Sequence, residues 1–135
     1  YSNPLHFHNF LRQNRFRVPL FYGAYMIRLT VLYKLKPEVD EEDFIKWRLT
    51  EHQTANSGIA GVIRTDFTRI DSAWPQEKDT PYRFMTTVDW PDMQSFEAGF
   101  YDPDVQEGLE KNLEMLENPV FVVGEVLVTE DKEVD

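Results

Sequence analysis

Residues 26–53 read MIRLTVLYKLKPEVDEEDFIKWRLTEHQ, and they hold a strand and a helix back to back. Ile27, Leu29, Val31, Tyr33 and Leu35 fall on one face at a period of two, the mark of a half-buried strand. Lys36-Pro37 ends the run. Asp40 then stands where an N-cap belongs, with Asp43 in the first turn beside the positive end of the helix. The helix is predicted to continue to about Ser57, where Gly58 stops it. At roughly 100° per residue, Phe44, Ile45, Leu49, Ala55 and Ile59 form an apolar arc. Arg48 and His52, one turn apart, lie inside that arc. A cation and an imidazole on the face a helix should bury call for a reason beyond packing.

Working outward, the spacing predicts a second strand over 62–71, VIRTDFTRID, and a loop with two prolines over 72–81. A third strand covers 82–90, YRFMTTVDW, with Tyr82, Phe84, Thr86, Val88 and Trp90 on one face. Pro91-Asp92 starts a second helix that runs to about Phe100. Asp102-Pro103 starts another, with Val105, Leu109, Leu113 and Leu116 at helical spacing and Pro119 as its breaker. The stretch 120–128, VFVVGEVLV, is the last strand. The order is βαββαβ, an α+β class of chain with the ferredoxin-like arrangement. Two right-handed crossovers put the helices on one face of a four-stranded antiparallel sheet. The other face carries apolar residues too, Leu32 and Met85 among them, and an uncovered apolar face wants a partner. Two such sheets face to face make a dimeric α/β barrel, so a homodimer through the helix-free face is expected.

Composition bounds the rest. The 135 residues make one domain by length, and 41% hydrophobic content supports a core of ordinary size. No apolar run approaches the length of a membrane span, and no signal peptide is read at the N-terminal end. Cysteine is absent, which removes disulfides and thiolate metal sites and fits a cytoplasmic protein. The net charge of −10 disfavours nucleic acid, whose phosphates need a basic surface. The charge is uneven. No acid precedes Glu38, while eleven follow from Asp102 onward. Residues 1–25 are aromatic and basic and read as an extension. Residues 26–129 form the domain proper, and 130–135 an acidic tail. The arm is expected to pack by Phe7, Phe10, Phe16 and Phe21, with Arg12, Arg15 and Arg17 meeting acidic surface.

Residues 26–53, GIAGVIRTDFTRI at 58–70, PYRFMTTVDWPDMQSFEAGFYDPDVQ at 81–106 and FVVGEVLV at 121–128 together resemble the EthD family of the dimeric α/β-barrel superfamily. Trp47 and His52 on the first helix, Gly61 before the second strand and Asp102-Pro103 carry the resemblance. It implies the same ferredoxin-like fold and a small-molecule role. Relatives that isomerise lactones or process aromatic polyketides use a histidine and sometimes a nearby hydroxyl. Here Ala60 stands in place of a proline and Thr65 in place of a tyrosine, so no phenol is supplied at that point.

His52 is the one histidine in the family-like region. An imidazole with its ordinary pKa near 6.5 moves protons at neutral pH, and a guanidinium at Arg48 stabilises a carboxylate, phenolate or enolate. Base plus oxyanion partner suits proton abstraction beside a carbonyl, lactone isomerisation or decarboxylation. The bland alternative is that His52 bonds to a loop while Arg48 pairs with Glu51 or Asp66. Trp47, Thr65, Tyr33, Phe84 and Trp90 are candidates to wall a substrate pocket, beside their role in the core. Glu125 is read as facing water, and Asp89 as capping the turn into the second helix. His6 and His8 supply two ligands at most, too few for a metal site. No phosphate-binding glycine motif occurs. No cofactor is expected, with haem kept as a lesser alternative because related superfamily members bind it. Three readings stand side by side: a cofactor-free enzyme acting through His52 on an aromatic, lactone or polyketide-type metabolite, alone or beside an oxidative pathway; a non-catalytic binder of a hydrophobic metabolite; and a structural dimer that recruits a partner.

Overall fold

A computed structural model describes residues 16–17, 25–75 and 79–132. Six strands are present among them: β1 (Phe16–Arg17), β2 (Ile27–Leu35), β3 (Arg64–Arg69), β4 (Phe84–Trp90), β5 (Leu116–Glu125) and β6 (Thr129–Glu130). Four of them form one antiparallel sheet in the order β3-β4-β2-β5. This is the ferredoxin-like order expected from the βαββαβ pattern. The remaining two pair with each other, Phe16 against Glu130 and Arg17 against Thr129. The expected packing of Phe7, Phe10 and Phe21, and the contacts of Arg12 and Arg15, lie outside the described residues, as do His6 and His8.

The first crossover is one helix in three parts: α1 (Glu41–Trp47), a π-helical turn (Arg48–His52) and α2 (Gln53–Ser57). Asp40 caps α1 as predicted, its side chain accepting from the Asp43 backbone at 2.9 Å. The second crossover holds α3 (Met93–Phe100) and α4 (Pro103–Leu113). Asp92 caps α3, accepting from the Ser95 N–H at 2.7 Å, and Asp102 caps α4, accepting from the Asp104 N–H at 2.9 Å. Asp89, expected as the cap of that turn, instead faces Arg28 on the helix-free side of the sheet.

The odd residues of β2 and even residues of β4 point to the helices. Ile27, Leu29, Val31, Tyr33, Phe84, Val88 and Trp90 are buried there with Phe44 and Phe96. Trp90 is locked by its Nε1 donating to the Ala60 carbonyl at 3.0 Å. That bond needs close backbone approach, because a Cβ on Gly99 would sit 2.3 Å from the Ala60 oxygen and 2.8 Å from Trp90 Nε1. Gly61, at φ +80°, takes the left-handed turn beside it.

Three expectations need correction. The first helix is not a regular α-helix, and two members of its predicted apolar arc, Leu49 (59% exposed) and Ala55, are exposed. At the same turn Thr50 Oγ1 donates to the Lys46 carbonyl at 2.8 Å, a back-bond of the kind that bends helices. Second, α4 ends at Leu113, and β5 begins at Leu116, earlier than the 120–128 read from sequence. Third, Pro119 lies within that strand. It is tolerated because β5 is an edge strand, and Asn118 at φ 50° with a register shift opposite Leu32 to Lys34 absorbs the irregularity.

Candidate functional site

A cavity of about 330 Å³ opens between the sheet and the helices. Its floor is Leu29, Val31 and Tyr33 of β2, Thr86, Val88 and Trp90 of β4, and Phe121 of β5. One wall is the first helix, through Phe44, Trp47, Arg48, His52, Ala55 and Asn56. The other is α4 and the turn into β5, through Asp104, Val105, Gly108, Leu109, Asn112, Met115 and Leu116. Most of this lining is apolar, with a few convergent polar groups, the usual make-up of a ligand site.

The π turn sets the polar end. Its i→i+5 bonding brings residues five apart into register. The rings of Trp47 and His52 stack at 4.6 Å between centroids and 20° between planes. One residue on, Arg48 Nη1 donates to Gln53 Oε1 at 2.7 Å. A regular α-helix would set such pairs far round the cylinder. Arg48 is 1% exposed. Its guanidinium also donates to Thr86 Oγ1 at 3.4 Å and lies 4.4 Å above the Phe67 ring. The expected carboxylate partners are not used: Asp66 pairs with Arg64 at 3.1 Å, and no bond joins Arg48 to Glu51 among the described residues. Tyr33 hydroxyl completes the cluster, 3.3 Å from Thr86 Oγ1.

Burial, and secondarily the charge of Arg48, hold His52 down at a pKa of about 4. The ring is therefore neutral at physiological pH, not poised near neutrality as its ordinary value suggests. Burial likewise lowers Arg48, offset in part by Tyr33, and raises Tyr33, which stays a neutral phenol. His52 Nδ1 lies 3.4 Å from Asn112 Nδ2, and Nε2 has no protein partner among the described residues. Asn112 selects the tautomer. With its amide nitrogen toward the ring, the proton sits on Nε2; with its oxygen there, Nδ1 carries the proton and Nε2 is free to accept one.

Of the residues singled out from sequence, Tyr33, Trp47, Arg48, His52 and Trp90 meet at this cavity. Phe84 does not line it and lies wholly in the core. Thr65 does not line it either, and its hydroxyl is buried without a partner among the described residues. Asn112, Gln53 and Thr86 escaped the sequence reading. The signal for Asn112 was present, since Asp104, Gly108 and Asn112 recur every four residues on one face of α4. Glu125 is exposed, as expected.

Residues 27–127 match the family of REDY-like protein HapK. The chain belongs to that family. Solved structures agree on the fold. An EthD family protein of Bacillus halodurans is 20% identical over 75% of this chain and 98% of its own, with a TM-score of 0.62. A hydroxynitrile lyase of Passiflora edulis is 12% identical over 76% and 94%, at 0.61. A dimeric ferredoxin-like protein of Thermobifida fusca is 19% identical over 82% and 99%, at 0.60. No curated protein matches the chain significantly. The likeness to EthD proteins read from the sequence thus stands for this HapK-family chain. No helix among its described residues is long and apolar enough to cross a membrane.

Proposed function

We propose that this HapK-family chain is a small-molecule enzyme whose active site is the cavity at His52, acting without a cofactor on a planar aromatic, lactone or polyketide-type metabolite. The observation that carries this reading is a neutral, largely desolvated imidazole whose Nε2 has no protein partner among the described residues, beside a buried guanidinium, in an otherwise apolar cavity. A site built only for packing has no use for that pair. In the proposed chemistry the Asn112 amide, whose nitrogen lies 3.4 Å from Nδ1, turns over so that its oxygen accepts from Nδ1–H and Nε2 is left unprotonated. Nε2 takes a proton from a carbon next to a carbonyl, and the C–H electron pair becomes the enolate double bond. The carbonyl oxygen gains a negative charge, which Arg48 stabilises. Return of the proton to a different carbon completes an isomerisation with no net proton change. The Passiflora neighbour is a lyase by name, which supports small-molecule chemistry on this fold without naming the substrate.

The proposed assembly is a homodimer through the helix-free sheet face. Leu32 lies opposite both Met85 and Val120 there, and Val120 and Val122 are 37% and 52% exposed. The Thermobifida neighbour is described as dimeric.

The functional reading is tested by incubating the protein with planar aromatic ketones, lactones and keto acids and following both binding and conversion. Conversion lost in His52→Ala with binding kept supports an enzyme. Binding with no conversion by the wild type supports a carrier instead.

A further inference from the structure

Three other arginines among the described residues, Arg28, Arg64 and Arg83, have carboxylate partners. Arg28 grips Asp89 with two bonds, 2.8 and 3.0 Å, and Arg83 grips Glu41 with two, 2.7 and 3.1 Å. Arg48 is more deeply buried than either, and its partners are all neutral: the Gln53 amide oxygen, the Thr86 and Tyr33 hydroxyls and the Phe67 ring. No carboxylate lies within ion-pair distance of it among the described residues. A guanidinium withdrawn from water without a counter-charge is costly. It also lines the cavity, so whatever fills the cavity reaches its field at low dielectric.

The carboxylate on the cavity lining is Asp104. It sits eight residues from Asn112 along α4, so about 12 Å away by helical rise. The two ends of the cavity are therefore opposite in sign. Arg48 lies at the His52 end, and Asp104 is exposed at the other.

We propose that the cavity takes a planar organic anion, an apolar ring system carrying one carboxylate or phenolate-type oxygen that supplies the missing counter-charge to Arg48. This rests on the reading of the cavity as a small-molecule site and narrows its ligand class. The charged end lies toward Arg48, His52 and Asn112, and the apolar body extends along Val88, Leu109 and Phe121. Gln53 Oε1 is a neutral acceptor on the guanidinium that an anionic oxygen replaces with a stronger, charge-assisted bond. The charged and titratable groups that share the cavity lining with His52 are Arg48 from its own helix, Asp104 from α4 and Tyr33 from β2, with Asn112 against its Nδ1. Arg48 is the cation among them, so an anion that offsets it also favours proton uptake by the ring.

Isothermal titration calorimetry with 2-naphthoate and its neutral isostere 2-naphthamide tests this. The expected result is a carboxylate bound about tenfold or more tighter than the amide, with proton uptake seen across buffers of different ionisation enthalpy at pH 6. Arg48→Met should erase the preference by weakening the carboxylate more than the amide, and Arg48→Lys should keep part of it. Should either variant fail to fold, the wild-type comparison decides alone. Equal binding of the two probes, or amide bound in preference, overturns the anion inference and leaves the small-molecule site standing. Binding of neither probe overturns both.

Discussion

Trp47 and His52 are five residues apart on one helix and yet stack face to face, 4.6 Å between ring centroids. The π turn makes this possible, and the stack shields one face of the imidazole from water. Loss of the shield should be visible. Trp47→Ala is expected to raise the His52 pKa from about 4 toward its ordinary value, because burial is the larger cause of the shift. An NMR titration of the His52 ring protons checks this, and an unchanged midpoint would show that Trp47 contributes no shielding.

The same depressed pKa sets a pH dependence of stability. Unfolded, His52 takes up a proton near pH 6.5; folded, it resists until about 4. Between those values the unfolded chain binds the extra proton, so stability falls as pH falls. Solvent reaches part of the ring, so the effect is discounted to on the order of 1–2 kcal/mol. Denaturant titrations at pH 7 and pH 4.5 should show a smaller loss for His52→Gln than for the wild type. The acid limb of kcat/KM should likewise fall near 4, with a plateau through neutrality. A limb near 6.5 would mean that the free protein holds His52 in a far wetter setting.

Arg48 is predicted to be kept for function at the expense of stability. Replacing a buried cation that has no counter-charge by an apolar side chain of similar length removes the cost of holding it out of water. Arg48→Met should therefore melt at or above the wild-type temperature while losing activity. A drop of several degrees would instead make Arg48 a structural pin held by Gln53, Thr86 and Phe67.

Gly99 should tolerate nothing larger. Its missing Cβ is what lets the Ala60 carbonyl reach Trp90 Nε1. Gly99→Ala is expected to cost about 1–3 kcal/mol, with broadening of the Trp90 indole N–H resonance. Full stability in that variant would show that the loop at Ala60 moves freely.

The helix-free face carries the proposed dimer, and a charge placed in its apolar stripe should split it. Val122→Asp is expected to give a monomer by light scattering at micromolar concentration, with the helix content intact. A wild type that is monomeric under the same conditions would defeat the interface.

The fold was legible because its signals are periodic. Alternation in β2 and β4, and the caps at Asp40, Asp92 and Asp102, act locally and survive into the structure. The edge strand was misplaced because Pro119 reads as a helix breaker, and only the sheet position of β5 makes it harmless. Within the site, Arg48 and His52 were legible as polar residues on a buried arc. The π turn was not, because the hydrophobic period of one turn does not separate it from a regular helix. With it went the Trp47 stack, the Gln53 contact and the outward turn of Leu49. The lowered pKa of His52 was out of reach as well, since desolvation is a property of the packed cavity.

The proposed proton transfer at His52 is most directly tested by hydrogen–deuterium exchange at carbon. Planar aromatic ketones and keto acids are incubated with the protein in D₂O, and loss of the C–H signal beside the carbonyl is followed by ¹H NMR. The account predicts exchange above buffer for at least one of these compounds. It further predicts a fall of about 10²–10⁴-fold in His52→Ala, with calorimetric binding of the same compound retained. Exchange at the same rate in a folded His52→Ala variant, or none above buffer for any compound that binds, would contradict it.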